Sequence, residues 1–274
     1  MQPQISKFIL DPYPLRTIAL KMIRKFNLGD YEYRVQIGAV ERPHYGYGVY
    51  NAAVLAKKLG YQRISVLEFG VAGGNGLVNL EYHAEQIAPI LGIDIDIYGF
   101  DTSAGLPKPR DYRDLPYHWK EGFFKMEAQP LQAKIKKAKL VLGDINETAK
   151  SFFEKYNPAP IAAVMHDFDF YSSTAAALQM FDANEKYFLP RVYCYFDDTI
   201  GAETELYNDY TGERLAINEF NQAHQSKKFG LPYHLLSRKV VEPWYHQIFI
   251  YHDFGHSRYN DFVSEENQQL YLGN

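Results

Sequence analysis

From residue 62 onward, short apolar runs alternate with stretches of helical periodicity. Five of these runs predict β-strands, at residues 63–69, 95–101, 138–144, 160–170 and 191–198. The stretches between them predict helices, the first over residues 74–87 and another over residues 145–156. Strand and helix alternating in this way indicate a mostly parallel sheet with helices on both faces. The fourth and fifth runs are apolar on both faces, as buried parallel strands are.

The last part of the chain predicts a different arrangement. A helical pattern near residues 203–225 precedes two further strands, at residues 233–240 and 247–254, with only "VEPWYH" between them. A connection this short favours an antiparallel hairpin at one edge of the sheet. The predicted fold is therefore α/β: a Rossmann-like, doubly wound, mostly parallel seven-stranded sheet with an antiparallel edge hairpin.

Two regions interrupt this alternation. Residues 1–60 predict a helical extension, or cap, that closes with a helix through "YNAAVLAKKLG". Residues 102–130 contain four prolines and many aromatic residues, and a loop of this length in a compact domain is usually functional. We predict a lid-like insertion there, within a single domain spanning residues 61–256 and followed by a C-terminal tail over 257–274.

Composition excludes several classes of protein. A net charge of −4 over 274 residues gives no support for a nucleic-acid partner. The one basic cluster, Lys134 to Lys139, is expected to be a solvated helix face. The single cysteine, Cys194, lies in an apolar strand and is expected to be a core residue.

Location and assembly are predicted from the same composition. The sequence has no signal-peptide pattern and no apolar run near the roughly 18 residues a membrane span needs, so we expect no membrane association. With one cysteine no disulfide can form within the chain, and a cytoplasmic location is expected. Aromatic residues make up 16% of the chain, which suits half-buried clefts, ordinary cores or the interface of a homodimer.

The stretch "LEFGVAGGNG" at residues 67–76 ends the first predicted strand in a glycine-rich turn. It lacks the Gly-x-Gly-x-x-Gly fingerprint of dinucleotide binding, and no Gly-Lys-Ser/Thr follows to make a P-loop. It does contain an acidic residue, any residue, glycine and a further glycine three positions on, as Glu68, Gly70 and Gly73. That pattern resembles the first motif of class I S-adenosylmethionine (SAM) methyltransferases. Glycines needed only for packing are the alternative interpretation.

The resemblance implies a set of cofactor contacts at successive strand ends. Glu68 would pair with the ammonium of SAM, and bare glycines, Gly74 included, would let the ribose and sulfonium approach the backbone. Asp101, at the end of the second strand, would bind the ribose hydroxyls, and Asp144, at the end of the third, would contact the adenine. The cofactor-binding set that we predict is Glu68, Gly70, Gly73, Gly74, Asp101, Thr102, Asp144 and Asp167.

Three further segments narrow the resemblance. "YGFDTSAGLPKP", "MHDFDFYSSTAAAL" and "YFDDT" are similar, in order and spacing, to segments of the macrocin O-methyltransferase (TylF-like) family. The resemblance covers residues 68–200 and implies methylation of a hydroxyl on a small molecule, such as a sugar or a glycosylated metabolite. Phe168 stands where that family has glycine, and His166 stands where an apolar residue is usual, so we assign His166 no role.

Four aspartates at two strand ends predict a metal site. Asp167 and Asp169 are two apart and share a face, and Asp197 and Asp198 can turn to one point where a strand frays. If the two strands are neighbours, the four carboxylates repel one another unless a cation or shared protons relieve them. Oxygen ligands favour a hard ion, Mg²⁺ above Mn²⁺ or Ca²⁺. The resemblance implies Mg²⁺ held by Asp167, Asp197 and Asp198, with Asp169 as general base.

Several residues are weaker candidates for binding the substrate. They are His118, Trp119, Tyr171 and Tyr117, together with Arg42, His44 and Tyr45, and each is equally consistent with packing or surface. Two other functions stay open: a metal-dependent glycosyltransferase using the Asp167-Phe168-Asp169 pair, and a SAM-fold binding protein without turnover. For the four aspartates, capping of the following helices is the non-catalytic alternative.

Overall fold

The computed structural model describes residues 13–269, so parts of the predicted extension (1–12) and tail (270–274) lie outside the described residues. The N-terminal region forms three helices: α1 (Pro14–Phe26), α2 (Tyr31–Gln36) and α3 (Pro43–Lys58). Helix α3 buries most of its residues and packs on the central strands of the sheet. Among the described residues, no helix combines the length and apolarity needed to cross a bilayer.

Seven strands form one sheet. They are β1 (Arg63–Phe69), β2 (Asp94–Asp101), β3 (Lys139–Leu142), β4 (Ile161–His166), β5 (Phe188–Phe196), β6 (Lys227–Gly230) and β7 (Ile248–Asp253). Their order in the sheet is β3-β2-β1-β4-β5-β7-β6. Strands β1 to β5 are parallel to one another, and β7 is antiparallel to both of its neighbours, β5 and β6. The predicted fold class is confirmed. Strand order reverses between β1 and β4, which is where open α/β sheets bind ligands.

Helices cover both faces of the sheet. The remaining helices are α4 (Asn75–Leu91), α5 (Ala128–Lys134), α6 (Ile145–Tyr156), α7 (Tyr171–Leu178), α8 (Gly212–Ala223) and α9 (Tyr233–Leu236). The two faces bury separate cores. One contains the apolar residues of α3 and α4, and the other those of α6, α7 and α8. Packing against both cores fixes the register of the strands. The register in turn determines where the carboxyl end of each strand lies relative to its neighbours.

Three boundaries differ from the prediction. The strand predicted at 233–240 is wrong: this segment begins with α9, and the edge strand is β6, a short lysine-containing strand that gives little apolar signal. Strand β4 ends at His166, and the helix predicted from 203 begins only at Gly212. The lysine cluster does not share one helix either, because α5 ends at Lys134 and β3 starts at Lys139.

The insertion at 102–130 is tied to the body by one buried carboxylate. Asp114 ends a short 3-10 turn and is 1% exposed. It accepts hydrogen bonds from the Ser172 backbone N–H (2.8 Å) and hydroxyl (3.0 Å), and from the Arg110 N–H (2.8 Å). Since Ser172 lies in the first turn of α7, the insertion is fastened beside the carboxyl end of β4.

Candidate functional site

A cavity of about 370 Å³ opens at the carboxyl ends of the parallel strands, beneath the insertion. Nine of the predicted site residues line it: Gly70, Asp101, Thr102, Trp119, Asp144, Asp167, Asp169, Asp197 and Asp198. Strand register explains the convergence. Phe69 is level with His166, and His166 with Phe196, so the residues that follow them emerge side by side.

The glycine turn brings the ends of β1 and β4 together. Gly70 has φ of +80°, and a Cβ on it would lie 1.8 Å from the carbonyl oxygen of Asp167. Gly74 meets Leu131 of α5 instead, at 2.2 Å from a Cβ position, and neither Gly73 nor Gly74 is on the cavity wall. Packing therefore accounts for Gly74, whereas Gly70 both packs and faces the cavity.

Asp101 presents a fixed carboxylate at the end of β2. Its oxygens accept hydrogen bonds from the backbone N–H groups of Ala72 (2.9 Å) and Ser103 (2.5 Å). Asp144 accepts hydrogen bonds from the Asn146 side-chain amide (2.7 Å) and from the Asn146 backbone N–H (2.8 Å), and the second of these caps α6. The two hydrogen bonds, the side-chain one first, lower the pKa of Asp144 below the ordinary value. Asp144 thus combines helix capping with a place on the cavity wall.

Glu68 lies beneath the glycine turn and not on the cavity wall, which the sequence did not predict. It is 1% exposed, and Oε1 accepts a hydrogen bond from the Tyr45 hydroxyl at 2.9 Å. A Cβ on Gly76 would lie 1.8 Å from the same oxygen, so glycine there makes room for the carboxylate. Oε2 has no hydrogen-bond partner among the described residues. Burial raises the pKa of Glu68 to about 8, which favours its neutral form.

Three carboxylates, Asp167, Asp197 and Asp198, form an acidic triad. Each offers an oxygen within 4.8 Å of the others. Burial and the neighbouring aspartates raise the pKa of Asp167 well above its ordinary range, and burial followed by Asp197 raises that of Asp198 to about 7. An all-oxygen set at this spacing fits a hard divalent cation, whose charge would offset the repulsion.

Asp198 is held at three points. Its Oδ1 accepts from the Tyr207 hydroxyl (2.6 Å), and its Oδ2 accepts from the Asp169 backbone N–H (2.8 Å). Its own backbone N–H donates to Oε2 of Glu213 at 2.9 Å. Burial and Asp198 raise the pKa of Glu213 well above the ordinary value.

Asp197 is held from the other side of the sheet. Its carboxylate accepts a hydrogen bond from the Tyr195 hydroxyl, and its carbonyl accepts from the Gln247 side-chain amide at 2.6 Å. Tyr195 in turn stacks on His44 of α3, with ring centroids 4.3 Å apart. The candidates Arg42, His44 and Tyr45 are absent from the cavity wall, and at least the last two support residues that approach it.

Asp169 faces the cavity from a left-handed backbone conformation. Its φ is +60°, and its side chain is 7% exposed. Burial, followed by the charges of Asp198 and Asp197, raises its pKa to about 9. The residue preceding α7 is Phe170, and the Ser172 N–H in the first turn of that helix donates to Asp114 rather than to Asp169, so the capping alternative does not explain Asp169.

Of the substrate candidates Trp119, His118 and Tyr171, only Trp119 lies on the wall of the 370 Å³ cavity. Trp119 lines the cavity, and its buried indole N–H has no partner among the described residues. His118 is not on the wall, and its Nε2 lies 3.7 Å from Glu205. Tyr171 donates to Glu219 at 2.5 Å and faces a second cavity of about 210 Å³.

Sequence reasoning missed several residues of the site. Glu205, Arg110 and Phe124 line the cavity, and Tyr207 and Glu213 hold Asp198. Glu213 follows a glycine at the start of a helix, a position where an acid usually faces solvent. Only the path of the 199–211 loop brings it inside, and no local pattern signals that path.

The similarity of this chain to known proteins lies in its fold. No protein-family model matches it, and no curated protein matches it significantly. Among solved structures, the O-methyltransferase NovP matches with 12% identity and a TM-score of 0.52, covering 87% of this chain and 97% of NovP.

Two further solved structures align with lower scores. Calicheamicin methyltransferase CalS11 has 21% identity and a TM-score of 0.49, with 88% of this chain and 92% of CalS11 covered. The O-methyltransferase from Bacillus cereus in complex with SAH has 12% identity and a TM-score of 0.39, covering 90% of this chain and 94% of that protein. The match to NovP, together with the strand order, shows that this chain shares the Rossmann-like fold of that protein.

Proposed function

We propose that the chain is a SAM-dependent O-methyltransferase that uses a hard divalent cation, Mg²⁺ above others, to methylate a hydroxyl of a small molecule such as a sugar or a glycosylated metabolite. One observation carries the proposal. The acidic triad shares a cavity with Gly70 and Asp101, so a nucleoside and a cation fit side by side. The fold that the chain shares with the O-methyltransferase NovP supports the same activity.

The cofactor half of the cavity suits a nucleoside. Asp101 is held by two backbone N–H groups, so its remaining acceptor sites can receive the two ribose hydroxyls. Phe100 and Ile145 give this part of the wall an apolar surface for a flat base, and Asp144 stands beside them. SAM would supply a methyl group on a positively charged sulfur.

The other half suits activation of a hydroxyl. The triad would hold the cation, which would lower the pKa of a hydroxyl bound to it. Asp169 would accept the hydroxyl proton once a cation at the triad favours its charged form, because burial and the charges of Asp198 and Asp197 otherwise raise its pKa to about 9. SAM, when bound, would supply its methyl group to that oxygen: the new oxygen–carbon bond would replace the carbon–sulfur bond, whose electron pair would stay on sulfur. The walls contribute by holding the oxygen in line with that bond.

Paired variants test the proposal. We expect Asp101→Asn to weaken SAM binding roughly tenfold or more, about 1.4 kcal/mol, by calorimetry. Asp197→Ala should leave SAM binding close to wild type but remove Mn²⁺ binding and chelator-sensitive turnover. Asp94→Asn is the control for both, because Asp94 is exposed at the opposite end of β2. Unchanged SAM affinity in Asp101→Asn would contradict the cofactor site, and turnover indifferent to EDTA would contradict the cation.

Two alternatives predict other results. A glycosyltransferase would be stabilised in thermal-shift assays by UDP- or GDP-sugars and not by SAM. A binding protein without catalysis would retain SAM yet release no demethylated product with any hydroxylated acceptor tested. Either outcome would replace the proposed activity.

A further inference from the structure

We propose that Glu213 is a positioning residue for the cation site, acting through Asp198; this inference rests on the proposed function. Glu213 is 0% exposed and lies in the first turn of α8, behind the acidic triad. Its Oε2 accepts the backbone N–H of Asp198 at 2.9 Å, and its Oε1 lies 3.5 Å from the Thr174 hydroxyl. Within residues 13–269, no basic side chain forms an ion pair with it.

The hydrogen bond from Asp198 to Glu213 holds a turn whose backbone is not part of a regular helix or strand. Asp198 lies in the turn Asp197–Thr199, with φ of −91° and ψ of 32°, outside the helical range. Glu213 supplies an acceptor for the backbone N–H of this buried residue, a group that is costly to bury unpaired. With the backbone held by Glu213, the carboxylate is aimed by the Tyr207 hydroxyl and the Asp169 N–H. Asp198 is thereby held at the backbone and at both carboxylate oxygens.

The Asp198 N–H needs an acceptor, and the residue that carries this N–H also offers a ligand oxygen to the triad. An amide oxygen could accept the same hydrogen bond, so the inferred role depends on the acceptor atom and not on its charge. If the acceptor is lost, the Asp198 carboxylate is no longer held in place, and a misdirected ligand oxygen costs metal affinity. Groups behind metal ligands typically contribute tenfold to a hundredfold to affinity.

The test measures Mn²⁺ affinity by calorimetry on the full chain, without turnover. We expect Glu213→Ala to bind Mn²⁺ about tenfold or more weakly, because the Asp198 backbone loses its anchor. Glu213→Gln keeps an oxygen acceptor and should bind within about threefold of wild type, rescuing most of the loss. Gln222→Ala, an exposed position on the same helix, is the control. SAM affinity should stay at the wild-type value in all three variants.

The outcomes separate the inference from the proposed function. If wild type binds no Mn²⁺, the proposed cation site fails and this inference fails with it. If wild type binds Mn²⁺ and Glu213→Ala binds it equally well, only the inference is overturned. Should Glu213→Ala fail to fold, Glu213→Leu replaces it, because leucine fills the volume without supplying an acceptor. If Glu213→Leu binds Mn²⁺ as tightly as Glu213→Gln does, the inference is overturned as well.

Discussion

At the scale of single residues, buried polar groups decide how the site is built. His83 of α4 is an example, with 0% exposure beside the N-terminal helices. The Glu41 carbonyl can only accept, so Nε2 donates to it across 3.0 Å, and Nδ1 accepts from the Tyr31 hydroxyl at 2.6 Å. These two hydrogen bonds satisfy both nitrogens of the neutral ring, and burial favours that form by lowering the pKa of His83 from 6.5 to about 4.

His83 gives a prediction for stability against pH. Its folded pKa is depressed, so the unfolded chain binds the proton first as pH falls, and stability is lost between about 6.5 and 4. Between pH 7 and pH 5 the loss from this residue is about 2 kcal/mol. Urea unfolding of wild type and His83→Gln at both pH values measures it. The difference in unfolding free energy between the two proteins should shrink by about that amount at pH 5; a constant difference would contradict the assignment.

At the scale of elements, strand ends were predictable and the loops beyond them were not. The ends of β1, β2 and β3 follow from apolar runs that stop at Gly70, Asp101 and Gly143, so most of the predicted acids were found at the correct edge. The role of Glu68 was not predictable, since its place beneath the turn depends on Tyr45 of α3, far away in sequence. Glu205 and Tyr207 depend likewise on the path of an irregular loop.

The insertion can be loosened at a single point. Asp114→Ala removes the two hydrogen bonds that join the insertion to Ser172 of α7, and a third within the insertion to the Arg110 N–H; buried bonds of this kind contribute about 1 kcal/mol each. We expect faster hydrogen exchange across residues 106–124 and SAM affinity weaker by roughly tenfold, about 1.4 kcal/mol. Asp111→Ala is the control, because Asp111 pairs with Arg113 at the surface. Exchange and affinity as in wild type would show that Asp114 does not fasten the insertion.

At the scale of the whole molecule, the sheet concentrates carboxyl groups at one edge. Seven carboxylates line the cavity, at Asp101, Asp144, Asp167, Asp169, Asp197, Asp198 and Glu205, whereas Arg110 is the one basic side chain on its wall within residues 13–269. The alternation of strands and helices in the sequence predicts the sheet. The excess of acidic over basic side chains in the cavity could not be predicted, because it arises only where the ends of five strands meet in the folded chain. The folded chain thus carries a repulsion that a cation can relieve, and its stability is linked to cation binding.

Asp167→Asn tests that linkage in full. Burial and three neighbouring aspartates disfavour the Asp167 charge, so an asparagine should raise the melting temperature of the metal-free chain by about 2–5 °C. In wild type, Mg²⁺ at a hundred times its dissociation constant should add about 2.7 kcal/mol of stability, and Asp167→Asn should lose most of that gain. Asp94→Asn, which changes the same charge at the far end of β2, should respond to Mg²⁺ as wild type does. Scanning calorimetry with and without Mg²⁺ measures both effects. A metal-free Asp167→Asn chain that is less stable than wild type would mean that the carboxylate is held by contacts stronger than the repulsion, and the linkage between charge and cation would be wrong.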